Sequence, residues 1–473
     1  LNIPNTNLFR RFIRFYSDRE YYHLLVKFAL PIALQSLVMS SLNMVGVMMI
    51  GQLGETSVAA VGLANQVWFL LNLVVFGVVS GAAMFIAQLW GKHDSANIRR
   101  VLGLTIKLGL VAAFLFWIIA GFFPEQALHL YTDDSSVIEI GSQYLRIFCW
   151  SYGFFAITAS YGVALRSTGN VRLPLFVSTS ALGLNILLAY PLIFGVKIIG
   201  LPALGVQGAA IAGLIARILE CIAMVTLVYR DRSNPVAATK KDLLEFDFKF
   251  MASVMKPVLP VIANEILWSF GITTYNAIYG HIGTNAVAAI NIVSTIDQMA
   301  FVLFLGLGTA TAILVGNQIG QGEPAKAYAY AGRSLSLQMF GAMLMGVLVY
   351  FFAGNIFQFY KVSPEVILNA RQILIVMALG MWIRASNHVI IIGILRSGGD
   401  TLFSLLLDGL VIWFVGVPVT AAGAFLFRLP IHLVYALTLS EEAAKLLAGL
   451  GRYFSKKWIR DLTTKVAAVG EIP

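Results

Sequence analysis

Charge is what this chain of 473 residues has least of: Asp, Glu, Lys and Arg make up 12% of it, about half of the roughly 25% usual in a soluble domain. With 59% hydrophobic residues and a mean hydropathy of +0.82, so little charge excludes a soluble globular fold and leaves a polytopic membrane protein. Cysteine is nearly absent. Cys149 and Cys221 both fall inside apolar segments, which excludes a disulfide framework or a cysteine-based zinc motif. HExxH, the Walker lysine motif, CxxC and a GxSxG in a plausible context are all missing, so the chain is not read as an enzyme. No cleavable signal peptide is expected either. A few residues, the initiator among them, are expected to precede Leu1.

What is present in quantity is apolar sequence in spans. A spanning helix needs about 20 mostly apolar residues, and twelve such segments can be read, the first near 23–50 and the last near 429–450. The net charge of +10 could suggest nucleic acid, but its distribution argues against that partner. Arg10, Arg11 and Arg14 precede the first span, Arg99 and Arg100 lie between the second and third, and Arg166 and Arg172 between the fourth and fifth. Arg230, Arg232, Lys240 and Lys241 fill the linker after the sixth. Lys326 and Arg396 occupy later loops on the same side, and Arg452, Lys456, Lys457 and Arg460 the tail. The intervening loops hold almost no Lys or Arg. By the positive-inside rule both termini are cytoplasmic, in a multi-pass protein of the cell (inner) membrane whose basic loops meet lipid headgroups.

The polar stretch near the middle marks the join between two halves. Residues 1–22 read as an amphipathic cytoplasmic lead-in, with Phe9, Phe12, Ile13 and Phe15 on its apolar side. Residues 23–230 form an N-terminal six-helix lobe, 231–249 a cytoplasmic linker, 250–451 a C-terminal six-helix lobe and 452–473 a basic cytoplasmic tail. Pro31, Gly51, Gly54, Val58, Ala59, Ala60, Gly77 and Gly91 recur as Pro260, Gly280, Gly283, Val287, Ala288, Ala289, Gly306 and Gly320, all at an offset of 229 positions. Leu165-Arg166-Ser167-Thr168-Gly169-Asn170 recurs as Leu395-Arg396-Ser397-Gly398-Gly399-Asp400 at an offset of 230. Six is even, so both copies enter the membrane in the same direction. The expected fold is therefore all-α, with twelve transmembrane helices in two six-helix lobes related by a pseudo-two-fold axis along the membrane normal, and a substrate cavity between them.

Gly51-Gln52-Leu53-Gly54 with Val58-Ala59-Ala60, the paired Leu-Arg-Ser-x-Gly turns, and Gly205-Val206-Gln207-Gly208-Ala209-Ala210-Ile211-Ala212 together resemble the multidrug and toxic compound extrusion (MATE) family. The resemblance runs from about Leu25 to Leu450. It implies a monomeric secondary antiporter without a cofactor, exporting small organic, often cationic, compounds by alternating access as Na+ or H+ moves inward. A flippase for a lipid-linked saccharide or other amphiphile is the alternative on the same general fold, and a strongly basic cavity would favour it. An ion channel would need pore-loop signals that are not seen.

An ionisable side chain near the bilayer centre costs at least about 2.5–3.5 kcal/mol on insertion scales, so each one is a candidate site residue. Glu265 with Asn264 in the seventh span, Asp297 in the eighth and Asp408 in the eleventh are the candidate cation-coupling residues, with Glu265 and Asp408 the possible Na+ ligands. Carboxylates suit this role because they can exchange a proton or bind a monovalent cation. Their counterparts in the first repeat are Ser36 for Glu265, Trp68 for Asp297 and Ser178 for Asp408, so the fold itself does not require the acids. Arg384 cannot deprotonate and is expected to compensate one of them; a permanent pair with Glu265, or a contact to Asp408, is the structural alternative. His388, one turn later, is a second compensating group. Arg217 with Glu220, and Glu441 or Glu442 with Lys445, stand at i,i+3 or i,i+4 and read as structural pairs within each lobe. Trp68, Tyr161, Trp268, Tyr275, Trp382, Met39 and Met299 could line a cavity for flat cations. Where the resemblance implies an acid in the first span, the chain reads Val45-Gly46-Val47-Met48, which tilts the expected ion toward Na+. The family's acid in the seventh span falls one turn later, at Trp268, and its aspartate in the tenth span falls at Arg384.

Overall fold

In the computed structural model the described residues are 16–196, 200, 202–231, 233–244, 248–357 and 362–464. Most of the lead-in expected at 1–22 and the end of the tail at 452–473 lie outside them. Twelve long helices are found among the described residues: α1 Arg19–Gly51, α2 Glu55–Gly91, α3 Ser95–Phe122, α4 Ser135–Ser167, α5 Arg172–Phe194 and α6 Gly205–Arg230, then α7 Phe248–Ile282, α8 Thr284–Gly320, α9 Pro324–Ile356, α10 Pro364–Arg396, α11 Thr401–Leu426 and α12 Ile431–Phe454. No strand occurs among the described residues. Eleven of the twelve are long and apolar enough to cross a membrane. The exception, α12, contains Glu441, Glu442 and Lys445, which lower its hydropathy.

The chain forms two compact units. The C-terminal unit comprises the described residues within Leu1–Ala33, Ala87–Lys92 and Leu259–Lys465; the N-terminal unit comprises those within Leu34–Ile86 and His93–Val258. Helices α1 and α7 each change unit within two residues of a repeat proline, Pro31 and Pro260. Proline removes a backbone hydrogen bond and crowds the preceding turn, so these are weak points of each helix.

Lipid offers helices no hydrophobic reason to associate, and close packing of small residues takes over. In the C-terminal unit the repeat partners Gly91 and Gly320 pack α2 against α8. A Cβ on Gly91 would fall on the Asn317 carbonyl, and one on Gly320 on that of Gln88. In the N-terminal unit the Gly-Val-Gln-Gly motif performs the same task, because Gly208 lies directly on the Leu192 backbone of α5. The repeated Leu-Arg-Ser-x-Gly turn is a Schellman helix end in both units. Asn170 N–H donates to the Leu165 carbonyl at 2.8 Å and Gly169 N–H to that of Arg166 at 3.0 Å; Asp400 to Leu395 and Gly399 to Arg396 repeat the pattern at 2.9 Å each. Gly169 and Gly399 take φ of 88° and 83°, where a side chain would be strained.

The segments following α6 and α12 pack on their own units. In the linker, Pro235 O accepts from Arg99 Nε at 3.2 Å and Ala238 O from the Tyr229 hydroxyl at 2.6 Å. In the tail, Trp458 is fully buried against Gly398. The Gln88 amide there donates to Ser397 O at 2.9 Å and Arg460 O at 3.1 Å and accepts from Leu462 N–H at 2.8 Å. Asp400 holds both Arg452 at 2.6 Å and Arg460 at 2.8 Å, and Lys92 meets Asp461 at 2.8 Å. The tail is thus a strap across the ends of α2, α10 and α12.

Candidate functional site

The polar interior of the C-terminal unit is built from α7, α8, α10, α11 and α12. Consecutive helical residues point about 100° apart, so Asn264 and Glu265 of α7 reach different neighbours. Glu265 meets Arg396 Nη1 at 2.7 Å, with side chains 10% and 4% exposed. Asn264 donates from Nδ2 to Asp408 Oδ2 at 2.9 Å. The other Asp408 oxygen accepts from Lys445 Nζ at 2.8 Å. One turn earlier on α12, Glu441 contacts the same ammonium and also accepts from the Tyr275 hydroxyl. Asn387 of α10 donates to the Glu442 carboxylate at 2.7 Å. Lys445 is therefore a buried ammonium shared by two carboxylates.

The local backbone helps to place these groups. Arg396 ends a run of wide π-helical turns, Val389–Arg396, and Asp408 lies in another, Leu405–Leu410. Such turns are uncommon and concentrate at functional sites. Gly416 of α11 leaves the space that Tyr275 and Glu441 occupy, since a Cβ there would fall on both of their polar ends.

Arg384 compensates neither Glu265 nor Asp408. It binds Asp297 of α8 through Nη1, at 2.8 and 2.9 Å to the two carboxylate oxygens. The reason is position along α10: Arg384 precedes Arg396 by twelve residues, about 18 Å of helix, and it is Arg396 that stands level with Glu265. His388 touches none of these acids; its ring lies edge-on to Phe301, 5.6 Å between centroids, and against Gly308, with Nε2 buried and without a hydrogen bond. Among the described residues no three His, Cys, Asp or Glu side chains converge as they would on a tightly held metal ion. The oxygen donors present are paired carboxylates and amides, including Asn264 Oδ1 and Asn387 Oδ1, both buried and without a hydrogen-bond partner. This donor set suits a weakly held monovalent cation or a proton.

The N-terminal unit contains a cavity of about 370 Å³ lined by residues of α1, α2, α4, α5 and α6, Asn43, Asn65, Trp68, Asn185, Arg217 and Glu220 among them. Arg217 Nη1 meets Glu220 Oε2 at 2.6 Å, and Glu220 Oε1 accepts from Ser178 at 2.8 Å. Of the seven expected cavity side chains, Trp68 lines this space. Tyr161 is buried in the same unit with its hydroxyl 3.2 Å from that of Tyr229, and Met39 is half-buried. In the C-terminal unit Tyr275 is buried on Glu441, Trp382 packs on the core, and Trp268 and Met299 are exposed, the latter at 64%.

Sequence reasoning missed Arg396, which reads as a loop charge because it ends its helix. Lys445 with Glu441 or Glu442 reads as a structural pair, and that spacing does not show that Asp408 joins it. The i,i+4 acid and base inside a span was the available signal for Lys445, and the duplicated Leu-Arg-Ser turn for Arg396.

Comparison with known sequences agrees with the internal duplication. The sequence model of the MatE family matches this chain twice, over residues 31–191 and 260–422, each match starting at a repeat proline. The chain belongs to the MatE family. It is 27% identical over 445 residues to the probable multidrug resistance protein YoeA of Bacillus subtilis, covering 93% of this chain and 94% of that protein. It is 23% identical over 408 residues to the probable multidrug resistance protein NorM of Thermotoga maritima, covering 86% of each. Among solved structures, the Vibrio cholerae MATE transporter VcmN in its bent form superposes with a TM-score of 0.83 at 18% identity, over 94% of this chain and 98% of that one. A MATE structure in complex with MaL6 gives 0.82 at 17% identity, over 95% and 97%. These likenesses establish the fold: an all-α, multi-pass MatE family transporter.

Proposed function

We propose that this MatE protein is a secondary antiporter of the cell (inner) membrane, with cytoplasmic termini, that exports small organic compounds by alternating access in exchange for inward Na+ or H+. Its relatives' names, multidrug resistance proteins, support multidrug efflux as the activity. The observation that carries the coupling reading is the charge balance of this polar cluster in the C-terminal unit. Four carboxylates, Glu265, Asp297, Asp408 and Glu441, pair with three bases, Arg384, Arg396 and Lys445, and a fifth, Glu442, is held by Asn387. An interior with more acids than bases, removed from bulk water, takes up a small cation to balance its charge. Glu265 and Asp408, with Asn264 beside Asp408, are the coupling residues in this reading. A cation arriving at either acid weakens that acid's hold on Arg396 or Lys445 and frees the base to move. Asp297 with Arg384 is a third pair of the same kind.

The test is efflux from proteoliposomes under Na+ and H+ gradients imposed separately. One of the two gradients should drive dye export. Glu265→Gln or Asp408→Asn should abolish that export in protein that remains monodisperse. Wild-type transport in both variants would remove coupling from these residues.

A further inference from the structure

We infer that the cavity of the N-terminal unit recognises the carboxylate of an aromatic organic amphiphile, and that Arg217 is the residue that binds it. This deepens the proposed function and rests on it for the statement that the bound compound is cargo. A volume of about 370 Å³ lies in the range of small-molecule sites, roughly 300–1,000 Å³, which are mostly apolar with a few convergent polar groups. Here the apolar part includes Trp68, Tyr144 and Phe148.

The lining contains one acid and one base, and the base is the more exposed of the two. Glu220 has both oxygens engaged, by Arg217 and Ser178, and its side chain is 4% exposed, against 20% for Arg217. Arg217 uses only Nη1 in that pair, and its other N–H groups have no hydrogen-bond partner among the described residues. Its guanidinium lies over Trp68 and Phe155, 5.7 and 5.5 Å from the ring centroids, which holds its plane by cation–π contact. Asn43, Asn65 and Asn185 add amide donors to the lining. A guanidinium fixed in plane with free N–H groups matches a carboxylate. A cationic compound would meet it with like charge.

The test uses the full-length protein in detergent and three probes sharing one aromatic body: dansylglycine, its methyl ester, and a dansyl quaternary amine. Dansylglycine should bind at least about tenfold more tightly than the other two, the difference expected for a hydrogen bond to a charged group. Arg217→Gln should erase that preference and leave the ester's affinity unchanged. The double variant Arg217→Gln/Glu220→Gln leaves no unpaired acid, so it should fold and show the same loss. Equal binding of acid and ester, tightest binding of the quaternary amine, or a preference that survives in the double variant would each overturn the inference. So would displacement of dansylglycine by phosphatidylglycerol but not by benzoate, which would make the ligand a lipid headgroup. Binding is read without an ion gradient, so a failure of coupled efflux and a failure of this inference are separately visible.

Discussion

Replacing Lys445 by methionine should be among the most damaging single changes to the C-terminal unit. The ammonium is 1% exposed and faces Asp408, 14% exposed, and Glu441, 4% exposed. Removing one member of a buried ion pair costs about 3–5 kcal/mol, because the remaining charge is left without compensation. Lys445→Met leaves two acids without the ammonium they share, with one hydrogen bond each from Asn264 and Tyr275, which places it at the upper end of that range. Asp408→Asn keeps the ammonium on Glu441 and loses one charge-assisted hydrogen bond, about 1.5–3 kcal/mol. The triple variant Lys445→Met/Asp408→Asn/Glu441→Gln has no buried charge at this point. Uncharged replacements of buried ion networks are often neutral or stabilising, so it should recover most of the loss. The assay is SDS-driven unfolding of the purified protein in mixed micelles, followed by tryptophan fluorescence. If Lys445→Met lies within about 1 kcal/mol of wild type, or the triple variant is less stable than the single one, the shared-ammonium account is wrong; residues so closely coupled should deviate from additivity by more than about 0.5 kcal/mol.

Two further outcomes follow from the packing and the tail. Gly416→Ala places a methyl on the Tyr275 and Glu441 polar ends and should destabilise by about 1–3 kcal/mol, whereas Gly280→Ala, with open space around it, should unfold at the wild-type SDS concentration. Burial raises the Asp461 carboxyl pKa, but hydrogen bonds from Lys92 and Thr463 outweigh it and hold the group below its ordinary 3.8. A lowered acid contributes its stability above the ordinary value and loses it as the pH falls through the folded one. The strap should therefore stay closed from pH 8 down to about 4 and loosen below that, with a stabilisation under about 1 kcal/mol because both side chains are 35% exposed. Amide protection factors at Trp458–Thr463 measure this, and Asp461→Asn should show the reduced low-pH protection already at pH 7.

The repeat was readable because a glycine in a membrane helix usually has a geometric duty, and duties that recur at a fixed offset survive in the letters. Gly169 and Gly399 close the same helix end in each unit, and Gly91 and Gly320 meet between α2 and α8. Eleven of the twelve long helices and the basic loops follow from hydropathy and charge, properties of single segments. The ion pairs did not follow, since a position on a helix fixes neither its depth against a neighbour nor the side it faces. Asn264 and Glu265 are adjacent in sequence and serve different partners, Asp408 and Arg396. Arg384 could be assigned to an acid but not to Asp297, because that needs the relative heights of α8 and α10. The repeat comparison also points to the chemistry it could not supply. The Asp408 position of α11 corresponds to Ser178 of α5; Asp408 binds Lys445 of α12, while Ser178 binds Glu220 of α6. The same helix pair thus holds an acid on a buried cation in one unit and, in the other, a hydroxyl on an acid whose arginine lines the cavity.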